Sequence, residues 1–115
     1  MKPGIFFITG TDTDAGKTVL ATLLTRHLWD CGVRVVALKP LCSGGRDDAV
    51  ALWNAAGKVL ALDEVNPWHF RAAIAPVLAA RRERKQVRLA EVVKQIRRVS
   101  RGFEVVVVDG AGGLL

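Results

Sequence analysis

The stretch Gly10-Thr-Asp-Thr-Asp-Ala-Gly-Lys-Thr18 decides how this chain is read. Before it, Ile5–Thr9 is a short apolar run ending at Gly10, the pattern of a buried strand that enters a turn. After it, Leu20, Leu23, Leu24 and Leu28 recur at helical spacing from Lys17 onward, and Gly32 supplies a C-terminal stop. A strand, a glycine-containing loop and a helix let backbone N–H groups curl around phosphate oxygens, with the positive end of the helix dipole behind them. Lys17 is placed to neutralise β- and γ-phosphates, and Thr18 to hold magnesium through its hydroxyl. The common pattern leaves about four residues between the two glycines, whereas five, Thr11 to Ala15, separate Gly10 from Gly16 here. A chance Gly-Lys-Thr at a helix start is the plain alternative, and the flanking strand and helix argue against it.

Working outward, Val33–Leu38 reads as a second, β-branched strand, which Lys39-Pro40 ends because proline cannot extend a central strand. Leu41–Asp47 then reads as a polar loop and Ala49–Ala61 as a helix, with Asn66-Pro67 and Pro76 punctuating the middle of the chain. Leu89, Val92, Val93, Ile96 and Val99 define an amphipathic helix, and Phe103–Val108 a third strand with four consecutive valines. Strands alternating with helices predict an α/β fold with a parallel sheet and right-handed crossovers. A four-valine run belongs to a strand covered on both faces, yet the chain stops at Leu115, soon after it. The expectation is a single nucleotide-binding domain over residues 1–115 whose sheet is incomplete at the C-terminus.

Composition narrows the class. The chain has 115 residues, 50% hydrophobic and 24% charged, which suits one soluble globular domain. No apolar run is long enough to span a bilayer, and the opening Met1-Lys-Pro-Gly-Ile-Phe-Phe-Ile lacks the extended apolar region of a signal peptide. The cysteines, Cys31 and Cys42, make no disulfide framework, so a reduced, cytoplasmic setting is expected. The net charge of +6 is local: Arg81 to Arg101 holds nine Lys/Arg and two Glu, and the remainder is close to neutral.

Two further constellations lie at strand ends. Asp109, at the end of the third strand and followed by Gly110, Ala111, Gly112 and Gly113, sits at the rim where α/β sheets bind ligands. It can hold magnesium directly or through water, and the glycines allow close backbone approach. A plain turn is the other reading of a lone Asp-Gly. Lys39-Pro-Leu-Cys-Ser-Gly44 follows the second strand, with Asp47-Asp48 shortly after. If the first and second strands are neighbours, Lys39 faces the phosphates, where a second lysine suits transferred charge. Asp48 is a candidate metal ligand. Read by spacing alone, a solvated lysine and an Asp-Asp helix cap fit equally well.

Together four motifs resemble the dethiobiotin synthetase family, ATP-dependent enzymes of biotin synthesis: the loop at Gly10–Thr18, Lys39-Pro-Leu-Cys-Ser-Gly44, Asn66-Pro-Trp-His-Phe70 and Asp109-Gly-Ala-Gly-Gly113. The resemblance covers the whole chain but only about the N-terminal half of the family's enzyme, and the five-residue loop spacing is the family's own. It implies a P-loop NTPase-like three-layer sandwich. It also implies that Asp14, Ala15, Gly16, Lys17, Thr18 and Val19 contact ATP, with Thr18, Asp48 and Asp109 around magnesium. Gly110, Ala111 and Gly112 are implied to lie along the nucleotide, Lys39 to be the catalytic lysine, and Ser43 to contact the diamine. The family usually has Glu where this chain has Asp109, which is one methylene shorter.

The implied reaction carboxylates 7,8-diaminononanoate with CO2, activates the carbamate with ATP as a carbamic–phosphoric anhydride, and closes a cyclic urea. It needs no protein nucleophile, which makes Cys42 a small loop residue. The resemblance also implies a homodimer, with further segments that bind the base and finish the sheet. Two other readings remain: a nucleotide-binding piece without turnover, and a DNA-binding ATPase switch of the chromosome-partition type. The second draws on Lys94, Arg97, Arg98 and Arg101, a basic stripe at i, i+3, i+4 and i+7. A solvated helix face explains the stripe more simply. Trp29 and Trp53 are expected in the core or an interface, Trp68 near the substrate pocket, and His27 and His69 in surface or packing roles.

Overall fold

A computed structural model describes residues 4–8, 14–71 and 87–110. The element order is β1 (Gly4–Ile8), α1 (Asp14–Asp30), β2 (Val35–Leu38), β3 (Leu41–Ser43), α2 (Asp47–Ala55), α3 (Leu62–Val65), β4 (Trp68–Phe70), α4 (Leu89–Ser100) and β5 (Val105–Asp109). The valine-rich β5 lies in the middle of a three-stranded parallel sheet of order β1-β5-β2. The expectation that the first and second strands are neighbours is therefore corrected: β5 separates them.

Alternation along the strands builds two cores. Val36, Leu38, Val106 and Val108 face one way and pack with Val92, Ile96 and Val99 of α4. Val35, Ala37 and Val107 face the other way and pack with Ala21 of α1 and Leu52 of α2. Strands β2 and β5 are thus covered on both faces, as their unbroken apolar runs require, and the layers are helix, sheet, helix. On the outer strand β1, Ile5, Phe6 and Phe7 are exposed.

Three local readings change. Leu41–Ser43, read as loop, is a strand: after the Lys39-Pro40 kink the chain pairs in parallel with β4, Leu41 opposite Trp68 and Ser43 opposite Phe70. Proline removed one ladder donor without preventing the next residues from finding a new partner. The helix expected over Ala49–Ala61 begins at Asp47 and stops at Ala55, because Gly57 (φ 72°) closes it. There Lys58 N–H donates to the Trp53 carbonyl and Gly57 N–H to the Asn54 carbonyl, a left-handed stop that favours glycine. The same two-bond stop ends α1 at Gly32, as expected. Finally, Leu20 and Leu23 face outward. The inward side of α1 is Ala21, Leu24, Thr25 and Leu28, where the small residues bring the helix close to the sheet.

Trp29 covers the stop of α2, its ring lying where a Cβ on Gly57 would come within 2.9 Å. Trp53 donates its indole N–H to the Leu60 carbonyl at 2.7 Å, with the Lys58 ammonium over its ring. Pro76 and the arginines and lysine of 81–85 lie outside the described residues, as do Thr9 to Thr13, Ala111 and Gly112. Among the described residues no helix is long and apolar enough to cross a membrane.

Two outcomes check this packing. Gly57→Ala should cost about 2–3 kcal/mol, since left-handed strain adds to the clash with Trp29, whereas Gly32→Ala, with open space around it, should cost about 1 kcal/mol. Denaturant midpoints of both variants read this difference, and equal losses would contradict the Trp29–Gly57 contact. In the second, a thiol-alkylating reagent at neutral pH should modify exposed Cys31 well before Cys42. Cys42 is buried in β3, and burial holds its thiol pKa up despite the opposing pull of Lys39. Equal rates by peptide mass spectrometry would contradict the strand assignment.

Candidate active site

The site forms where the C-terminal ends of β5 and β2 meet the start of α1. Strand register sets it. Leu38 pairs with Val108, so Lys39 follows β2 directly beside Asp109 at the end of β5. Counting by alternation, Lys39 and Asp109 fall on the face that carries Val35, Ala37 and Val107, the face covered by α1. Ile8 pairs with Asp109 on the other side, and Gly110 N–H continues that ladder to the Ile8 carbonyl at 3.1 Å.

Asp109 is fully buried, and three side chains converge on it. Thr18 donates its hydroxyl to Oδ2 at 2.7 Å, and Lys39 donates its ammonium to the same oxygen at 3.2 Å. The Lys17 ammonium lies 3.9 Å from Oδ1 and donates to the Gly110 carbonyl. Lys17, Thr18 and Lys39 are each at least nine-tenths buried. Removing a carboxylate from between two buried ammonium groups leaves charges that neither water nor protein compensates, a loss of about 3–5 kcal/mol in comparable buried pairs. Asp109 is thus the counter-ion that allows two lysines to be buried side by side.

The same arrangement suits a phosphate chain. Helix α1 begins at Asp14, so the positive end of its dipole points at this cluster and adds positive potential. Among the described residues two ammonium groups meet one carboxylate, an arrangement that suits an anion. A divalent cation fits too. Asp109 Oδ1 is buried and accepts no hydrogen bond among the described residues, and with the Thr18 hydroxyl it offers hard oxygen ligands. Magnesium takes few protein ligands and completes its shell with phosphate and water. Asp48 is in the first turn of α2 and lines a shallow groove with Thr18, Val19, Thr22, Leu23 and Ala51.

The residues singled out in the sequence thus fall into groups. Lys17, Thr18, Lys39, Asp109 and the Gly110 carbonyl come together in close contact, and Asp48 and Val19 share the adjoining groove. Ser43 ends β3, half-buried, a short step along the chain from Lys39. For Asp14 and Ala15 only the helical backbone is described, and Ala111 and Gly112 lie outside the described residues. His27 lies 3.8 Å from the Cys31 sulfur, and among the described residues no three His, Cys, Asp or Glu side chains form a metal cluster.

Sequence reading missed two residues beside the site. Asn66 is completely buried, and its amide donates to the Lys39 carbonyl at 2.8 Å. Arg46 donates from Nε to Asn66 Oδ1 and from Nη2 to the Asn66 carbonyl, both at 3.0 Å. The signal for Asn66 is present in the Asn-Pro-Trp-His-Phe motif, where the larger Trp68 draws the eye. Arg46 carries no local signal, because its partner is twenty positions away.

Comparison with known proteins agrees with this geometry. A family model described as an AAA domain matches residues 5–115. An ATP-dependent dethiobiotin synthetase of Anaeromyxobacter dehalogenans is 43% identical over 113 residues, covering 95% of this chain and 51% of the relative. That of Akkermansia muciniphila is 40% identical over 108 residues, covering 94% of this chain and 51% of the relative. That of Methanococcus vannielii is 30% identical over 110 residues, covering 96% and 52%. The chain spans about half the length of the curated relatives it matches. A buried Lys–Asp–Lys cluster under a helix start and a match over nearly every residue lead to one assignment: the chain belongs to the AAA domain family, and the resemblance to dethiobiotin synthetases read from its four motifs extends over almost its whole length.

Proposed function

We propose that this protein carries out the ATP-dependent carboxylation and cyclisation of 7,8-diaminononanoate to dethiobiotin, a step of biotin biosynthesis. The observation that carries the reading is the convergence of Lys17 and Lys39 on Asp109 at the start of α1. A single phosphate-binding lysine suffices to hold a nucleotide. A second buried lysine, delivered from the end of β2 rather than from α1, suits a reaction in which negative charge moves from one oxygen to another.

In this reading one amine of the diamine takes up CO2 as a carbamate. The carbamate oxygen attacks the γ-phosphorus of ATP, ADP leaves, and a carbamic–phosphoric anhydride forms. The second amine then attacks the anhydride carbonyl, phosphate leaves, and the ring closes as a urea. Lys17 holds the β- and γ-phosphates with the N–H groups of Gly16 and its neighbours, while Lys39 stabilises charge on the phosphoryl group in transfer. Ser43 hydrogen-bonds the diamine. Thr18, Asp109 and Asp48 hold magnesium, which when bound offsets phosphate charge. Asp109 is short for this role, and its Oδ1, which accepts no hydrogen bond among the described residues, is the oxygen that serves it. Gly110, Ala111 and Gly112 pass along the nucleotide. The protein works in the cytoplasm as a homodimer, and the exposed Val19, Leu20 and Leu23 on α1 supply apolar surface for that contact.

The stripe of Lys94, Arg97, Arg98 and Arg101 is on α4 and its C-terminal end, across the sheet from α1 and from the lysine pair. A DNA-binding switch would leave the burial of Lys39 unexplained.

ADP release with ATP, magnesium and bicarbonate, measured with and without 7,8-diaminononanoate, tests the proposal. Release that depends on the diamine is expected, and release indifferent to it, or absent, would contradict the reaction for this chain. Within an active preparation, Lys39→Ala should lower turnover by about 100- to 1,000-fold, as removal of one preorganised charge-stabilising donor does. ATP binding by calorimetry should change by less than about tenfold, since Lys17 and the helix start remain. Parallel losses of binding and turnover would overturn the role given to Lys39.

A further inference from the structure

Behind the lysine pair lies a set of contacts that the reaction does not call on directly. Lys39 and Pro40 join β2 to β3, a linker where regular sheet bonding is interrupted on both sides. Three groups seize this linker. Asn66 donates its amide to the Lys39 carbonyl at 2.8 Å and reaches the Pro40 carbonyl at 3.4 Å. Lys39 N–H donates to the Val65 carbonyl at 2.9 Å, and Trp68 N–H to the Pro40 carbonyl at 3.0 Å. All the partners come from one short stretch, Val65 to Trp68, at the end of α3 and the start of β4.

That stretch is itself held by Arg46. Its guanidinium donates to Asn66 Oδ1 and to the Asn66 carbonyl, reaches the Leu62 carbonyl at 3.4 Å and pairs with Asp63 at 2.9 Å. The planar fork therefore fixes both the orientation and the backbone position of Asn66. With Oδ1 occupied by Arg46, the Asn66 amide nitrogen must face the linker carbonyls. Because Asn66 is completely buried, its lost bonds could not be replaced by water.

We infer that Arg46 and Asn66 form a positioning latch that holds the Lys39-Pro40 linker, and through it the ammonium of Lys39 on Asp109 and the strand that carries Ser43. Neither residue touches the reacting groups; both act through the backbone of Lys39. The inference rests on the reading of Lys39 as the lysine that serves the transferred phosphoryl group, but the latch is tested without turnover.

The test is competitive lysine acetylation of the intact chain with acetic anhydride, quantified by peptide mass spectrometry against Lys94 on the outer face of α4. In the wild type Lys39 and Lys17 should both react slowly, being buried beside the same carboxylate. Asn66→Ala should raise the Lys39 rate by about tenfold or more, the effect of losing a buried hydrogen-bond donor, while Lys17, held by α1, stays within about twofold of the wild type. Arg46→Ala, which leaves the Asn66 amide in place but unsteers it, should raise the Lys39 rate by about two- to fivefold, again without Lys17. An unchanged Lys39 rate, or equal acceleration of both lysines, would overturn the latch. If Asn66→Ala fails to fold, Arg46→Ala decides by the same criterion. A wild-type chain that releases no ADP contradicts the proposed reaction and leaves this comparison intact.

Discussion

The carboxylate of Asp109 is the contact on which the site depends. It lies at the end of the central strand, fully buried, and it is reached by a hydroxyl and an ammonium from the start of α1 and by an ammonium from the end of β2. Without it, two positive charges would share a poorly hydrated pocket with no carboxylate between them, and repulsion would push at least one lysine into water. With it, the charges stay side by side and retain an excess of positive potential toward a phosphate. The cluster ties strand, strand and helix together and at the same time prepares the surface that a nucleotide meets.

The rest of the fold delivers those groups to one point. Four consecutive valines make β5 apolar on both faces, so it becomes the middle strand, and its register places Asp109 opposite Ile8 and one step past Leu38. Small residues on the inward side of α1, Ala21 and Thr25, let that helix sit close to the sheet, so that Thr18 reaches Asp109. Two glycine stops, at Gly32 and Gly57, end the two helices on this face. On the far side of Lys39, the β3–β4 pair and Asn66 hold the linker that proline excludes from the main sheet.

Much of this was legible in the sequence because it depends on local pattern. A strand, a Gly-Lys-Thr element and a helix point to a phosphate site from adjacent residues, and Asp109 announces itself by following an apolar run. What was not legible depends on contacts distant in the chain. That β5 inserts between β1 and β2 is a matter of pairing, which periodicity within one strand does not encode. Lys39 meets Asp109 at the end of β5, where Lys17 also reaches that carboxylate, rather than by lying next to β1, so the geometric premise drawn from the sequence did not hold. Leu20 and Leu23 followed helical spacing yet face outward, because the side of α1 against the sheet is chosen by close approach, which favours Ala21 over leucine. Arg46 and Asn66 were invisible as a pair because their bond joins residues that no motif connects.

That Asp109 organises a magnesium-dependent phosphate site is tested most directly by equilibrium titration of ATP into this chain, with and without magnesium, in the wild type and in Asp109→Asn. Wild-type binding should strengthen with magnesium, while an Asp109→Asn variant that remains folded by circular dichroism should lose about tenfold or more of the magnesium-dependent affinity. Equal affinity in the two proteins, with the same response to magnesium, would contradict it.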